Sequence, residues 1–325
     1  MTELRFGILD QMAQPKNIHA EEMATRTIEI AQAAEKMGYE RYWFAEHHAT
    51  KGLASSAPEI MMAAVAAKTK TLKVGSGGIL LPQYSAYKVA SQLFQLQALF
   101  PGRIEAGVGR SPGGNETIRS LLADGKPNML EKYPEKLIDL VTFLKKEGKI
   151  RATPRTTHAP SLFSLGLGEN SANLATSLGI GYVYGHFIQP DRGEATHHQY
   201  RKHFKPGFLN EPHALSAIFI VCGETDEHAE ELAISQDIWL LQVEKGLDSQ
   251  VPNIPEAKAK KLRTKDKEQI RNNRRRMIVG GPKKVRDELL RLSERYECDE
   301  WLIVTNIYDL DEKVRSYQRI IDLFK

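Results

Sequence analysis

Trp43-Phe44-Ala45-Glu46-His47-His48-Ala49 ends a short apolar run with one carboxylate and two adjacent imidazoles. A mononuclear zinc site needs three or four ligands, and neighbouring residues on an extended segment point in opposite directions, so the pair alone does not make a metal site. Two readings remain: acid/base or hydrogen-bonding work by one imidazole with the other structural, or two histidines that satisfy strand-end hydrogen bonds. A second feature is Gly75-Ser76-Gly77-Gly78 inside an apolar run. Glycines there cost stability unless the backbone bends for packing or a flat ring must lie against it. A third is Gly168-Glu169-Asn170-Ser171 at the start of a helical pattern. Free amides there form an anion site, or Asn170 or Ser171 simply caps the helix. Arg110, in Arg110-Ser111-Pro112-Gly113-Gly114, is either a countercharge to such an anion or a surface residue.

These residues have to be positioned, and the apolar periodicity says how. Strands are expected at 4–10, 39–45, 72–81, 103–109, 161–168, 181–186, 216–224 and 300–306. Helices fall between them: from Asn17, as cap, to Met37 before Gly38; 55–69 with Ser55 or Ser56 as cap and Pro58 in the first turn; 86–100 before Pro101-Gly102. Further helical segments are expected at 115–147, 170–179 and about 191–204, then from the Asp226 cap, and finally at about 310–324. Strands so continuously apolar must be covered on both faces, which favours a parallel sheet. Eight such units predict a (β/α)8 TIM barrel, with residues 1–325 as a single domain and an insertion at about 242–280 between strands seven and eight. A doubly wound sheet competes, but the turn after the first strand lacks GxGxxG. The barrel gathers the residues that follow its strands at one mouth, so Glu46-His47-His48, Gly77, Arg110, Glu169-Asn170-Ser171 and His186 are expected together.

The composition, 41% hydrophobic and 26% charged, is that of a soluble globular protein. With no long apolar run and no signal-peptide pattern, a cytoplasmic location is expected, with no membrane partner. Cys222 and Cys298 form no CxxC pair and read as buried free thiols. The net charge of +4 conceals one local segment: residues 258–276 carry ten Lys or Arg against Asp266 and Glu268, leaving the rest net acidic. That segment has no aromatic residue or nucleic-acid module, so it reads as a solvated helix or mobile loop, or as a lid attracting an anion, and no nucleic-acid partner is expected.

The stretches FAEHHA, KVGSGGILLPQYSAYKVASQLFQLQALFPGRIEAGVGRSPGG and GLGENSANLATSLGIGYVYGHF, in that order, resemble the signatures of the bacterial luciferase-like flavin-dependent monooxygenases. The resemblance runs from Leu4 to about Phe204 and resumes at MIVGGPKKVRDELLRLSERYECDEWLIVTN. It implies a TIM barrel that binds FMN at its C-terminal mouth, with FMNH2 supplied by a separate flavin reductase, O2 and a small organic substrate as co-reactants, and a homodimer. His47 is then the catalytic acid/base. Ser76 and Gly77 belong to the strand-three bulge under the flavin ring, often with a non-prolyl cis peptide, while Arg110, Glu169, Asn170, Ser171 and Tyr133 hold the phosphate. Gln83 stands where related sequences often have histidine, and its amide does not titrate. No metal is implied. The same fold also serves F420-dependent hydride transfer, and a non-catalytic flavin-binding protein is the third reading.

Overall fold

Consecutive apolar residues become strands buried on both sides, and the two-residue period assigns each side its neighbours. The computed structural model describes residues 3–111, 113–126 and 130–325. Along β2 (Arg41–Phe44), Tyr42 and Phe44 pack outward with helix residues such as Met23 and Met62, while Trp43 packs inward with Leu9, Phe163, Val183 and Leu302.

In chain order the elements begin with β1 (Arg5–Asp10), α1 (Ala20–Met37), β2, α2 (Pro58–Lys68), β3 (Lys73–Leu80), α3 (Ala86–Leu99), β4 (Ile104–Gly109), α4 (Glu116–Leu122) and α5 (Tyr133–Leu144). They continue with β5 (Ser161–Gly166), α6 (Glu169–Leu178), β6 (Gly181–Gly185), α7 (Gly193–His203), β7 (Ala214–Cys222) and α8 (Asp226–Glu244). The chain ends with α9 (Ile254–Lys258), α10 (Thr264–Arg274), β8 (Met277–Gly280), α11 (Pro282–Tyr296), β9 (Glu300–Val304) and α12 (Leu310–Asp322). Strands β1 to β7 follow one another in order, β9 joins β7 to β1, and β6 pairs directly with β7, all in parallel. The result is a closed eight-stranded parallel barrel with flanking helices, the (β/α)8 arrangement the periodicity predicts.

The interval between the seventh and eighth barrel strands departs from the expectation in detail. It holds an extra short strand, β8, whose Met277–Gly280 pair with Phe219–Cys222 of β7, and the helix α11, neither anticipated. Residues 258–276 are not a free basic patch. Lys258 pairs with Glu231, Arg274 with Asp237 and Glu230, Arg275 with Asp191, and Arg276 with Glu244.

Several caps also shift. The chain turns at Asn17 (φ 67°) and α1 starts from His19, ending at Gly38 (φ 102°). Ala57 rather than Ser55 or Ser56 precedes α2, because the Ser55 hydroxyl is taken by the Ala45 carbonyl. Thr225 caps α8 by accepting from the His228 N–H, which frees the Asp226 carboxylate to accept from the Gly281 N–H at 2.6 Å and join the starts of α8 and α11. The helical region expected at 115–147 is two helices, α4 and α5, and its residues 127–129 lie outside the described residues, as does Pro112. Cys222 and Cys298 are free and buried. Among the described residues no helix is long and apolar enough to cross a membrane.

Candidate active site

At the N-terminal ends of the strands the barrel is filled by charge. Buried Arg41 reaches Glu105 Oε2 at 3.1 Å and also Glu300, while Glu300 accepts from His213 Nε2 at 2.8 Å. Burial works against the Glu300 carboxylate, but the hydrogen bond from His213 and the charge of Arg41 outweigh it and hold its pKa at about 2. Above this layer Trp43 donates its indole N–H to Glu105 at 2.7 Å and meets Phe163 edge-on at 5.2 Å. Trp43 is the floor of a cavity of about 1430 Å³ that opens at the C-terminal mouth.

The glycine run divides between the two functions that its composition leaves open. A Cβ on Gly75 would stand 2.5 Å from the Trp43 indole nitrogen and 2.8 Å from the Glu105 carbonyl, so this glycine makes room for packing. Gly77 and Gly78 line the cavity, joined by a cis peptide, and the register against β4 shifts between Gly77 and Ile79. The bulge implied by the resemblance is present, with the cis bond following Gly77. Ser76 is turned away. Its buried hydroxyl donates to the Gly107 carbonyl at 2.8 Å and accepts from the Gly107 N–H at 3.1 Å, so the side chain is spent on the β3–β4 seam.

Beside this bare face, Glu46 is a buried bracket. Its carboxylate accepts from the Leu80 N–H at 2.8 Å and from the Tyr84 hydroxyl, and pairs with His48 Nε2 at 2.7 Å. Burial raises the Glu46 pKa in spite of these bonds. Three consecutive residues are thereby sorted: Glu46 and His48 face one another, and His47 faces the cavity. Burial, and secondarily the neighbouring His48, push the His47 imidazole down to about 4, so it is neutral near pH 7. Its buried Nδ1 has no hydrogen-bond partner. A bare ring nitrogen is less costly than a buried N–H without an acceptor, which places the ring proton on Nε2.

The opposite wall comes from the ends of β4, β5 and β6. Arg110, Tyr133, Glu169, Asn170 and Ser171 all line the cavity, whereas Ser76, His48 and His186 do not. Tyr133 places its hydroxyl 3.3 Å from the Val108 carbonyl and 3.2 Å from Ser164 Oγ. Burial pushes it up to about 12, against the opposing influence of Ser164 and Arg110. Helix α6 starts after Gly168, not at a capping Asn170 or Ser171. Ser171 Oγ instead donates back to the Gly168 carbonyl at 2.7 Å, while Glu169 and Asn170 are exposed. The first turn of α6 therefore has no side-chain cap, and its residues line the same cavity as Arg110. Arg192, not anticipated, lines the same wall, within 3.8 Å of a Cβ built on Gly168.

His186, expected at the mouth, is buried with its Nδ1 2.9 Å from the Tyr296 hydroxyl and does not line the cavity. Gln11, Trp43, Val183, Phe187 and Leu302 do line it. Phe187 and Gln11 immediately follow strand ends, a signal available from position alone. No residue of 258–276 lines the cavity. Among the described residues no group of three or more His, Cys, Asp or Glu is placed to hold a metal ion. The cavity thus brings together the glycine pair Gly77–Gly78, a neutral histidine, the cationic side chains Arg110 and Arg192 beside the uncapped start of α6, and an apolar end. At about 1430 Å³ it exceeds the roughly 300–1,000 Å³ of an ordinary ligand pocket, leaving space for a cofactor and a second molecule.

The family profile described as luciferase-like monooxygenase matches residues 4–296. The protein YceB of Bacillus subtilis (strain 168) is 49% identical over 329 residues, covering 99% of both chains. The N-acetyl-S-alkylcysteine monooxygenase of the same organism is 33% identical over 328 residues, covering 98% of both. Among solved structures, apo-MsnO8 superposes with a TM-score of 0.90 at 29% identity, over 99% of this chain and 98% of that one. The oxygenating constituent of 3,6-diketocamphane monooxygenase from Pseudomonas putida, in complex with FMN, gives 0.73 at 18% identity over 99% and 98%. An F420-dependent secondary alcohol dehydrogenase gives 0.66 at 13% identity over all of both chains. The last two likenesses are of fold alone.

Proposed function

This chain belongs to the luciferase-like monooxygenase family, and from that premise we propose that it is an FMN-dependent monooxygenase that uses reduced FMN and O2 to oxidise a small organic substrate. The observation that carries this reading is the bare Gly77–Gly78 shelf between a neutral His47 and the Arg110–α6 anion site, since FMN is a flat ring joined to a phosphate by a flexible arm. Bound in its reduced form, FMN supplies the two electrons that activate O2. A separate reductase delivers it, and the active species is a homodimer, as the resemblance implies.

The remaining work belongs to the chain. Gly77 and Gly78 give the ring a surface free of side chains. Arg110 and the first amides of α6 bind the phosphate, with Arg192 as further countercharge, the Tyr133 and Ser171 hydroxyls turning their protons to it from the Val108 and Gly168 carbonyls, and Glu169 and Asn170 at the rim. His47, kept neutral by burial, donates through Nε2 toward the reacting atoms and takes the proton back afterwards. Glu46, bonded to Leu80 and Tyr84, holds the histidine and the shelf in fixed relation. Trp43, Val183, Phe187 and Leu302 exclude water.

The test combines FMN, a flavin reductase and the protein with a panel of small organic acceptors, beginning with S-alkyl-N-acetylcysteines, the class in the name of a relative that is 33% identical. Product is scored as a mass gain of one oxygen atom. His47→Ala is expected to keep its FMN affinity and to lose about 10²–10⁴-fold in turnover; unchanged turnover removes His47 from the chemistry. Fluorescence titrations with FMN and with F420 separate the hydride-transfer reading, and F420 binding in preference to FMN overturns the flavin assignment. Oxygen consumption no faster than that of free reduced flavin, with no acceptor oxidised, leaves a non-catalytic flavin carrier.

A further inference from the structure

The flavin reading leaves one end of the cavity unexplained. Around the barrel β1 lies opposite β5, so residues at the end of β1 face away from the Arg110–α6 wall. Leu9, Ala45, Trp43 and Leu302 line the cavity at that end, with Gln11 as a polar side chain besides His47 and Glu46, whose carboxylate is already engaged by Leu80, Tyr84 and His48. The cavity's arginines, Arg110 and Arg192, belong to the other wall.

Gln11 is held in one orientation. Its Oε1 accepts from Asn306 Nδ2 at 2.6 Å, and the Asn306 backbone N–H donates to Gln236 Oε1 at 2.8 Å. Asn306 and Gln236 are both buried. The sense of the Asn306–Gln11 bond follows from what each alternative leaves bare. As arranged, only the Asn306 carbonyl oxygen is without a partner. With both amides turned over, a buried NH2 would take its place, with two protons unpaired instead of one oxygen, which is the more costly outcome. Since its oxygen is occupied by Asn306, the group Gln11 offers the cavity is its NH2.

We infer that Gln11 is a specificity-determining residue that donates a hydrogen bond to an uncharged oxygen, such as a carbonyl, of the substrate, with Asn306 as the positioning residue that turns its amide. The inference rests on the FMN reading, because it assigns the recess left when the flavin occupies the shelf. The substrate class that follows is a small, largely apolar molecule carrying a neutral acceptor oxygen. A carboxylate in that recess would be desolvated with no cation beside it. An ammonium head would oppose the protons of the Gln11 NH2.

The experiment uses the FMN-loaded protein and three probes of one shape, cyclohexanone, cyclohexanecarboxylate and cyclohexylammonium, with affinities from saturation-transfer NMR. Wild type is expected to bind the ketone best. Gln11→Leu, similar in size with no donor, is expected to weaken ketone binding about tenfold or more. Gln11→Glu, which accepts from Asn306 but presents a second acceptor to the cavity, is expected to reject the ketone and gain the ammonium probe. A purely structural Gln11 would not produce that exchange of preference. Equal ketone affinity in wild type and Gln11→Leu overturns the inference, as does preference of the wild type for the carboxylate or a failure of the ketone to bind. FMN titrations of the same three proteins are read separately: loss of FMN binding by the wild type counts against the flavin reading, whereas FMN binding with unaltered probe preferences counts against Gln11.

Discussion

Gly75 and Gly77 are two residues apart on one strand, yet alanine at each has a different predicted effect. At Gly75 the new Cβ meets the Glu105 carbonyl at 2.8 Å and Trp43 Nε1 at 2.5 Å. Neither partner can retreat, because one is backbone and the other is buried and hydrogen-bonded to Glu105 at 2.7 Å. Overpacking costs about 1–3 kcal/mol, and losing a hydrogen bond to a charged group adds about 1.5–3. Gly75→Ala is therefore expected to destabilise the barrel by about 2.5–6 kcal/mol. At Gly77 the obstacle is Leu9 Cδ1 at 2.4 Å, the far end of a side chain that borders open cavity. A change of Leu9 rotamer relieves it for about 0.5–1.5 kcal/mol. The displaced methyl group and the new Cβ then stand on the shelf itself. Gly77→Ala should fold with a nearly normal urea midpoint and bind FMN about tenfold or more weaker, equivalent to at least about 1.4 kcal/mol. Urea unfolding and FMN fluorescence titration of both variants decide the matter. FMN affinity within about threefold of wild type in Gly77→Ala would show that the ring does not lie on this face.

Two further expectations follow from buried charge. His186 and His197 are held neutral by burial, with pKa values of about 4 and about 3 against 6.5 for a free histidine. The unfolded chain takes up protons first as pH falls, so their contribution is intact above about pH 6.5 and is lost progressively below it, by about 3 kcal/mol per histidine at about pH 4. Thermal midpoints should drop between about pH 7 and about pH 4.5, and a flat profile over that range would contradict the assignment. Lys313 and Asp10, both buried, pair at 2.9 Å. Lys313→Met should cost about 3–5 kcal/mol by stranding the carboxylate, with much of that recovered when Asp10→Asn is added; an uncoupled double-mutant cycle would refute the pairing.

The barrel was readable because its strands carry the signal twice, as apolar runs and as alternation between wall and interior. Tyr42 and Phe44 answer to the helices while Trp43 answers to the interior. Strand β8 is not legible in the sequence because its four residues follow a strongly basic segment, in which Arg274 and Arg276 find Glu230, Asp237 and Glu244 only in three dimensions. Helix α11 carries Val285, Leu289, Leu292 and Tyr296 on one buried face and Pro282 in its first turn, so its pattern was present in the sequence. The mouth residues could be grouped from position alone, since a barrel brings strand ends together. What position does not reveal is the direction of a side chain. Ser76 and His186 follow the same positional rule as Gly77 and Phe187, but their hydrogen bonds turn them elsewhere. Gln11 gains its meaning from Asn306, 295 residues away, a partnership with no local trace.

The charged plug beneath Trp43 also governs traffic. With Arg41, Glu105 and Glu300 buried across the base beneath Trp43, the cavity is closed at that end and opens at the C-terminal mouth. On the FMN reading, cofactor, oxygen, acceptor and product would all use that mouth. Arrival and departure therefore interfere: an acceptor bound in the recess at the end of β1 and a cofactor across the shelf cannot exchange freely past one another. Steady-state kinetics should accordingly show a compulsory order of binding, with excess of one partner inhibiting entry of the other.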